Sequence, residues 1–266
     1  MTGFVTPVAP LFVPADRPER FAKAAASDAD AVILDLEDAV APASKAAGRA
    51  ALATDFTRKP VIVRVNARGT PWHDEDMAAV ARLGLAAIML PKVETVQDTG
   101  IVAGGAAVIA LIETAAGMAR VREIAAEGQA AALAFGTVDY VADLGCDHSR
   151  EALLTARSEV VLASRLGGLA MPIDGVTLDV RNPHVAQDDA AYARGLGFGG
   201  KLAIHPAQTA PILQGMGPQA AEIEWARRVL ASGDGAAAVD GAMVDEPVRI
   251  RARAILVRAQ AIGIVI

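Results

Sequence analysis

The residues best suited to chemistry in this sequence stand at the ends of short apolar runs. Glu113 lies near the end of VIALIET (Val108–Thr114) and Asp139 closes ALAFGTVD (Ala132–Asp139), so two carboxylates end consecutive runs. Mg2+ accepts one or two protein carboxylates and completes its octahedron with water and substrate oxygens, a demand this pair fits. Each also has an ordinary reading, as a helix N-cap or a salt-bridge partner, and Asp139 before Tyr140-Val141-Ala142 suits a cap as well as a ligand. Arg64 is embedded in VIVRVN (Val61–Asn66) between Val63 and Val65. A guanidinium there needs anions, because burying it unpaired is costly. It can serve a substrate anion, a structural pair with Glu37 or Asp38, or both. Asn66, two residues on, shares its strand face.

Asp35, Glu37 and Asp38 crowd AVILDLED (Ala31–Asp38). They either form a network with Arg64, Lys92 and Lys45 or, for Glu37 and Asp38, hold metal-bound waters behind the ligands. Arg17, Arg20 and Lys23 make a local basic patch that suits phosphate, or a solvated helix face. His73, His148, His184 and His205 show no metal-ligand spacing; His205, before Pro206, is as compatible with a structural role as with substrate binding. Lys92 is able in principle to form a Schiff base, but the carboxylate pair argues for a metal instead.

These residues need a frame that brings the run ends together. Eight apolar runs, Pro10–Pro14, Ala31–Asp38, Val61–Asn66, Ala87–Val93, Val108–Thr114, Ala132–Asp139, Val176–Val180 and Gly200–Pro206, alternate mostly with Ala-rich stretches of helical spacing. Strands alternating with helices give a parallel sheet. Eight such units predict an α/β fold, a closed (β/α)8 TIM barrel with its active site at the C-terminal strand ends. Helices are expected over Pro18–Ser27, Ala43–Asp55, His73–Leu83, Val96–Val102, Ala116–Glu127, Arg150–Leu166, Gln187–Gly195 and Gln219–Leu230. Ser232–Gly241 breaks the pattern with small residues and two Asp-Gly turn signals, before a last helix over Val248–Ala261. A ninth unit does not fit, so the chain divides into a barrel, 1–231, and a short C-terminal helical appendage, 232–266. That appendage can cap its own barrel or reach a neighbour's.

The whole chain sets limits consistent with this. Its 266 residues suit one barrel plus a short extension. No apolar stretch reaches the ~18 residues that span a bilayer, and MTGFVTPVAP lacks the pattern of a signal peptide. A single cysteine, Cys146, excludes an internal disulfide. These features predict a cytoplasmic protein with no membrane partner. A net charge of −6 without a basic stripe argues against nucleic acid.

The motifs LFVPADRPERFAKA, AVILDLEDAVAPASK, VIVRVNARGT, IMLPKVE, ALIETAAG, AFGTVDYVADLG, GKLAIHPAQ and VDGAMVDEPV, in this order, resemble the citrate lyase β-subunit-like proteins of the HpcH/HpaI aldolase superfamily. The resemblance implies an Mg2+-dependent barrel that cleaves or forms C–C bonds in 3-hydroxyacyl thioesters such as citramalyl-CoA, malyl-CoA or citryl-CoA. It assigns metal binding to Glu113 and Asp139, oxyanion binding to Arg64, contacts to the CoA phosphates to Arg17 and Lys23, and acid/base chemistry to Asp245, which comes from an adjacent subunit in related malyl-CoA lyases. A homo-oligomer, a trimer, follows from that sharing. The sequence departs from the family at Pro7-Val8-Ala9, where a basic pair is usual, at Ala15, and in its shorter tail. Two other classes remain open: a class II pyruvate-type aldolase acting on free aldehydes, and a non-catalytic subunit that binds acyl thioesters.

Overall fold

Side-chain alternation along the strands decides which residues reach the centre of the fold. The computed structural model describes residues 3–100, 105–233 and 237–261. Eight parallel strands run in chain order around one sheet: β1 (Leu11–Pro14), β2 (Val32–Asp35), β3 (Val61–Arg64), β4 (Ala87–Leu90), β5 (Ala107–Ile112), β6 (Ala132–Phe135), β7 (Ile173–Asp174) and β8 (Gly200–Lys201). The residues after β8 return to β1, where Leu11 bridges Ala203 and the Phe12 N–H donates to the Ala203 carbonyl at 2.9 Å. The ring is the expected (β/α)8 arrangement.

Successive strand residues face opposite ways. Val32, Leu34, Val61, Val63, Ile88, Leu90, Val108, Ala110 and Ile112 join the layer shared with the helices, whereas Ile33, Ile62, Met89, Ile109, Leu111, Ala134, Ile173 and Leu202 fill the barrel interior. Asp35, Arg64 and Glu113 each follow an interior residue by two positions and therefore share its side. This parity carries three charges to one end of the barrel.

The helices are α1 (Phe21–Ala25), α2 (Lys45–Ala50), α3 (His73–Val80), α4 (Ala115–Ala119), α5 (Val121–Glu127), α6 (Thr137–Leu144), α7 (Arg150–Leu166), α8 (Pro183–Leu196), α9 (Pro206–Met216), α10 (Ala220–Ala231) and α11 (Glu246–Ala261). No described helix is long and apolar enough to cross a membrane.

Several sequence expectations need correction. The seventh strand is Ile173–Asp174 and not Val176–Val180. Its charged end is tolerated because Asp174 is ion-paired with Arg157 Nε at 2.9 Å and Lys201 Nζ at 3.0 Å, all three side chains being buried. β6 stops at Phe135 and α6 begins at Thr137, so Asp139 lies in a first helical turn and does not end the strand. α9 was not expected, because Pro211 and Gly215 interrupt its sequence. His205 and Gln208 form its capping box and Pro206 occupies its first turn, where a missing N–H costs nothing. The helix expected over Val96–Val102 is a single 3-10 turn, Val96–Thr99; its last residues, 101–102, lie outside the described residues.

The segment after α10 contains a hairpin, β9 (Ala237–Val239) paired antiparallel with β10 (Ala242–Val244). Asp240 and Gly241 take φ of 52° and 79°, the left-handed pair that a two-residue type I′ turn requires. Val244 and Ala252 then pack on Ala226 and Val229 of α10, forming an apolar cluster separate from those of the barrel.

Candidate active site

β2 and β3 are in register with Asp35 opposite Arg64, which brings a carboxylate and a guanidinium to the same level. Two parallel bonds of 2.7 Å join them, from Arg64 Nε to Asp35 Oδ1 and from Nη2 to Oδ2. Arg64 Nη1 lies 2.9 Å from Glu37 Oε2, and Cζ stacks 4.9 Å from the Phe12 ring centre. Burial disfavours the Arg64 charge, but Asp35 and Glu37 more than offset this, so the guanidinium holds its proton more firmly than usual. Asp35 is itself fixed by the backbone N–H groups of Glu37 and Ala39.

Glu113, the first residue after β5, is 1% exposed. One oxygen accepts the Lys92 backbone N–H at 2.9 Å. Burial first, then the negative charges of Glu37 and Asp139, push its pKa up to about 8, with Arg64 and Lys92 opposing. Asp139 arrives from the first turn of α6, its side chain 36% exposed, with Oδ1 3.8 Å from Lys92 Nζ. Lys92 Nζ also lies 2.5 Å from Glu37 Oε1 and 3.9 Å from Asp38 Oδ2. Burial works against the Lys92 charge, but its bond to Glu37 together with the negative charges of Glu37, Glu113 and Asp38 outweighs that and raises its pKa.

This donor set fits a divalent cation. Glu113 is held beside other carboxylates, and Glu37 Oε2 is buried without a well-aligned hydrogen bond. The described residues contain no group of three or more His, Cys, Asp or Glu that could hold one ion. A cation taken up by Glu113 and Asp139 would have two protein carboxylates, a number Mg2+ accepts when water and substrate oxygens complete its shell. The cradle is also specific to glycine: a Cβ at Gly136 would fall 2.2 Å from Glu113 Oε2. Gly136→Ala must displace the carboxylate. Overpacking of this kind typically costs about 1–3 kcal/mol, so we expect a lower melting temperature together with weaker Mg2+ binding. Unchanged calorimetric Mg2+ affinity would contradict it.

The raised pKa of Glu113 has a sign that can be checked. Between the ordinary 4.5 and about 8 the folded state keeps a proton that the unfolded state has lost. The metal-free protein therefore loses stability from this group as pH rises across that window. Glu113→Gln should flatten the slope in thermal melts; an identical slope would overturn the assignment.

Asp35, Asp38, Arg64, Glu113, Gly136 and Asp139 share a cavity of about 370 Å3, walled by Phe12, Leu111, Val176 and Leu202 among others. A larger cavity, about 790 Å3, lies at the opposite strand ends around Ile62, Ala86 and Ala107. Among its described wall residues the one charge is Asp30, which is engaged by the backbone N–H groups of Val8 and Ala9, whereas the smaller cavity gathers Asp35, Asp38, Arg64, Glu113 and Asp139.

A model of the HpcH/HpaI aldolase/citrate lyase family matches residues 9–206. The chain belongs to that family. A citrate lyase subunit beta-like protein from Mycobacterium tuberculosis is 42% identical over 261 residues, covering 94% of each chain. A (3S)-malyl-CoA thioesterase from Cereibacter sphaeroides is 35% identical over 270 residues, covering 95% of this chain and 94% of its own. The crystal structure of CitE from Mycobacterium tuberculosis in complex with magnesium, acetoacetate and coenzyme A superposes with a TM-score of 0.86 at 40% identity, over 95% of this chain and 98% of that one.

Against the expectations for this HpcH/HpaI-family chain, the cavity gathers Arg64, Glu113, Asp139 and Asp38, with Glu37 directly behind Arg64. Arg17 and Lys23 are exposed, after β1 and on α1, outside the cavity lining. Asp245 is exposed and caps α11, its Oδ1 accepting the Val248 N–H at 3.3 Å; it is not among the described residues lining its own barrel's cavity. Asn66 does not join Arg64. It is buried against Asp76 Oδ2, Lys45 Nζ and the Leu36 carbonyl. His205 spends its Nδ1 on the Ala207 N–H. Sequence reasoning missed Gly136, which its position between an apolar run and a carboxylate could have flagged, and the backbone of Lys92, for which the sequence carries no signal.

Proposed function

We propose that the protein is an Mg2+-dependent carbon–carbon lyase that cleaves, or in reverse forms, 3-hydroxyacyl-CoA thioesters, giving an acetyl thioester and a 2-oxo acid. The observation that carries this reading is the meeting of Glu113, Asp139 and the Asp35-clamped Arg64 in one cavity. Relatives named for citrate lyase β and malyl-CoA support it, as does a neighbour bound to magnesium, acetoacetate and coenzyme A.

In this reading Glu113 and Asp139 would hold Mg2+, and Glu37 and Asp38 would hold waters around it. Bound there, Mg2+ would supply Lewis acidity to lower the pKa of the substrate hydroxyl. Asp245 of a neighbouring copy takes the hydroxyl proton as that oxygen forms the carbonyl of the 2-oxo acid, the C–C bonding pair passes to the acetyl thioester as an enolate, and the same proton is returned to its terminal carbon. Arg64 stabilises that oxyanion, and Asp35 keeps the guanidinium from rotating. The apolar wall from Phe12, Leu111 and Leu202 excludes water. Arg17 and Lys23 hold the CoA phosphates.

The barrel, 1–231, carries these groups, and 232–266 serves a neighbouring copy in a cytoplasmic homotrimer, where Asp245 delivers the proton to the terminal carbon. Mixing Asp245→Ala protein with Arg64→Ala protein should then restore part of the activity, because some interfaces carry both native residues. Free subunit exchange with no recovery would place Asp245 outside catalysis or on its own barrel.

Mass spectrometry of products from a panel of 3-hydroxyacyl-CoA compounds tests the function and identifies the acyl chain. Turnover of free pyruvate–aldehyde adducts, with every thioester untouched, would instead support the class II aldolase.

A further inference from the structure

Lys92 has φ of 51°, a left-handed conformation that a residue with a Cβ adopts only under strain. Its neighbours hold it there: Pro91 precedes it, and the Val93 N–H donates to the Leu111 carbonyl at 3.2 Å. Glycine would satisfy that backbone at no steric cost. The strain is therefore explained by the side chain. From this one residue the N–H reaches Glu113 Oε1 at 2.9 Å, while Nζ lies 2.5 Å from Glu37, 3.8 Å from Asp139 and 3.9 Å from Asp38. The ammonium stands among carboxylates beside the cradle assigned to Mg2+.

We propose that Lys92 is the positioning residue of the metal site: its backbone fixes Glu113, and its ammonium is the resident cation of Glu37, Asp38 and Asp139 that gives up its place beside Asp139 when a divalent cation enters. The proposal rests on the reading of Glu113 and Asp139 as metal ligands. Two cations near one carboxylate repel each other, so the ammonium opposes the metal it prepares for, keeping the empty site charge-balanced and metal binding reversible.

The test is calorimetric titration of MgCl2 into EDTA-stripped, dialysed wild-type protein and its Lys92→Met, Lys92→Gly and Lys92→Arg variants, with thermal melts of the metal-free forms. Removing a unit charge at this distance should tighten Mg2+ binding about tenfold or more in the Met and Gly variants. The Arg variant, which keeps the cation, should stay within about threefold of wild type on the same electrostatic ground. Metal-free Lys92→Gly should melt above metal-free Lys92→Met, since only glycine relieves the backbone. If the Met variant does not fold, the Gly variant carries the affinity comparison. Unchanged or weaker Mg2+ binding in the neutral variants overturns the proposal while leaving the metal site intact. No Mg2+ binding by wild-type protein overturns the metal site, and the proposal with it.

Discussion

Glu113→Ala and Asp139→Ala should each abolish Mg2+-dependent turnover while the barrel persists. Each change removes half of the protein's contribution to a two-carboxylate site. The Lewis acidity lost with the ion is worth several kcal/mol, so a fall of about three orders of magnitude or more is expected. The fold should survive for a reason visible in the site. Glu113 is buried among like charges with its pKa pushed up to about 8, so near neutral pH the metal-free fold must keep it protonated at a cost in stability. Metal-free Glu113→Ala should melt no lower than wild type near neutral pH, and Mg2+ should no longer raise its melting temperature. Turnover in both variants that still responds to Mg2+, or full wild-type activity in EDTA, would contradict the assignment.

Arg64→Lys should lower kcat by about two orders of magnitude or more, in line with loss of an oxyanion donor elsewhere. Lysine keeps one positive charge but not the planar fork that meets Asp35 through two 2.7 Å bonds and leaves Nη1 facing Glu37. The ammonium would be drawn onto Asp35 and Glu37 and away from a developing enolate. The competing account, in which Arg64 only neutralises those two carboxylates, predicts a lower melting temperature with kcat intact. Measuring kcat and the thermal midpoint on the same preparations separates the two.

Much of the fold was legible because a parallel barrel writes itself as short apolar runs with fixed side-chain parity. Arg64 and Glu113 could be placed at one mouth from their positions at the ends of those runs. Asp139 lines the same cavity as Glu113 but from α6 and not from the strand end expected of it, because the run through Phe135 continues in apolar and small residues past Gly136 and hides the start of α6. β7 was displaced because the sequence does not reveal that Asp174 is met by Arg157 and Lys201 from distant helix and strand. Pro211 concealed α9, although its capping residues His205 and Gln208 were in view. Asn66 shared the strand parity of Arg64, yet β3 ends at Arg64 and Asn66 turns to Asp76 and Lys45, a tertiary contact that spacing cannot encode. The φ of Lys92 is likewise a property of the folded chain.

The proposed reaction is tested most directly by its product balance. Wild-type protein would be incubated with Mg2+ and malyl-CoA or citramalyl-CoA, and acetyl-CoA, 2-oxo acid, free CoA and hydroxy acid quantified in the same sample. Carbon–carbon cleavage predicts acetyl-CoA and glyoxylate, or acetyl-CoA and pyruvate, in equal amounts, lost in EDTA and restored by Mg2+. Free CoA with an intact hydroxy acid, or acetyl-CoA formation indifferent to EDTA, would contradict it.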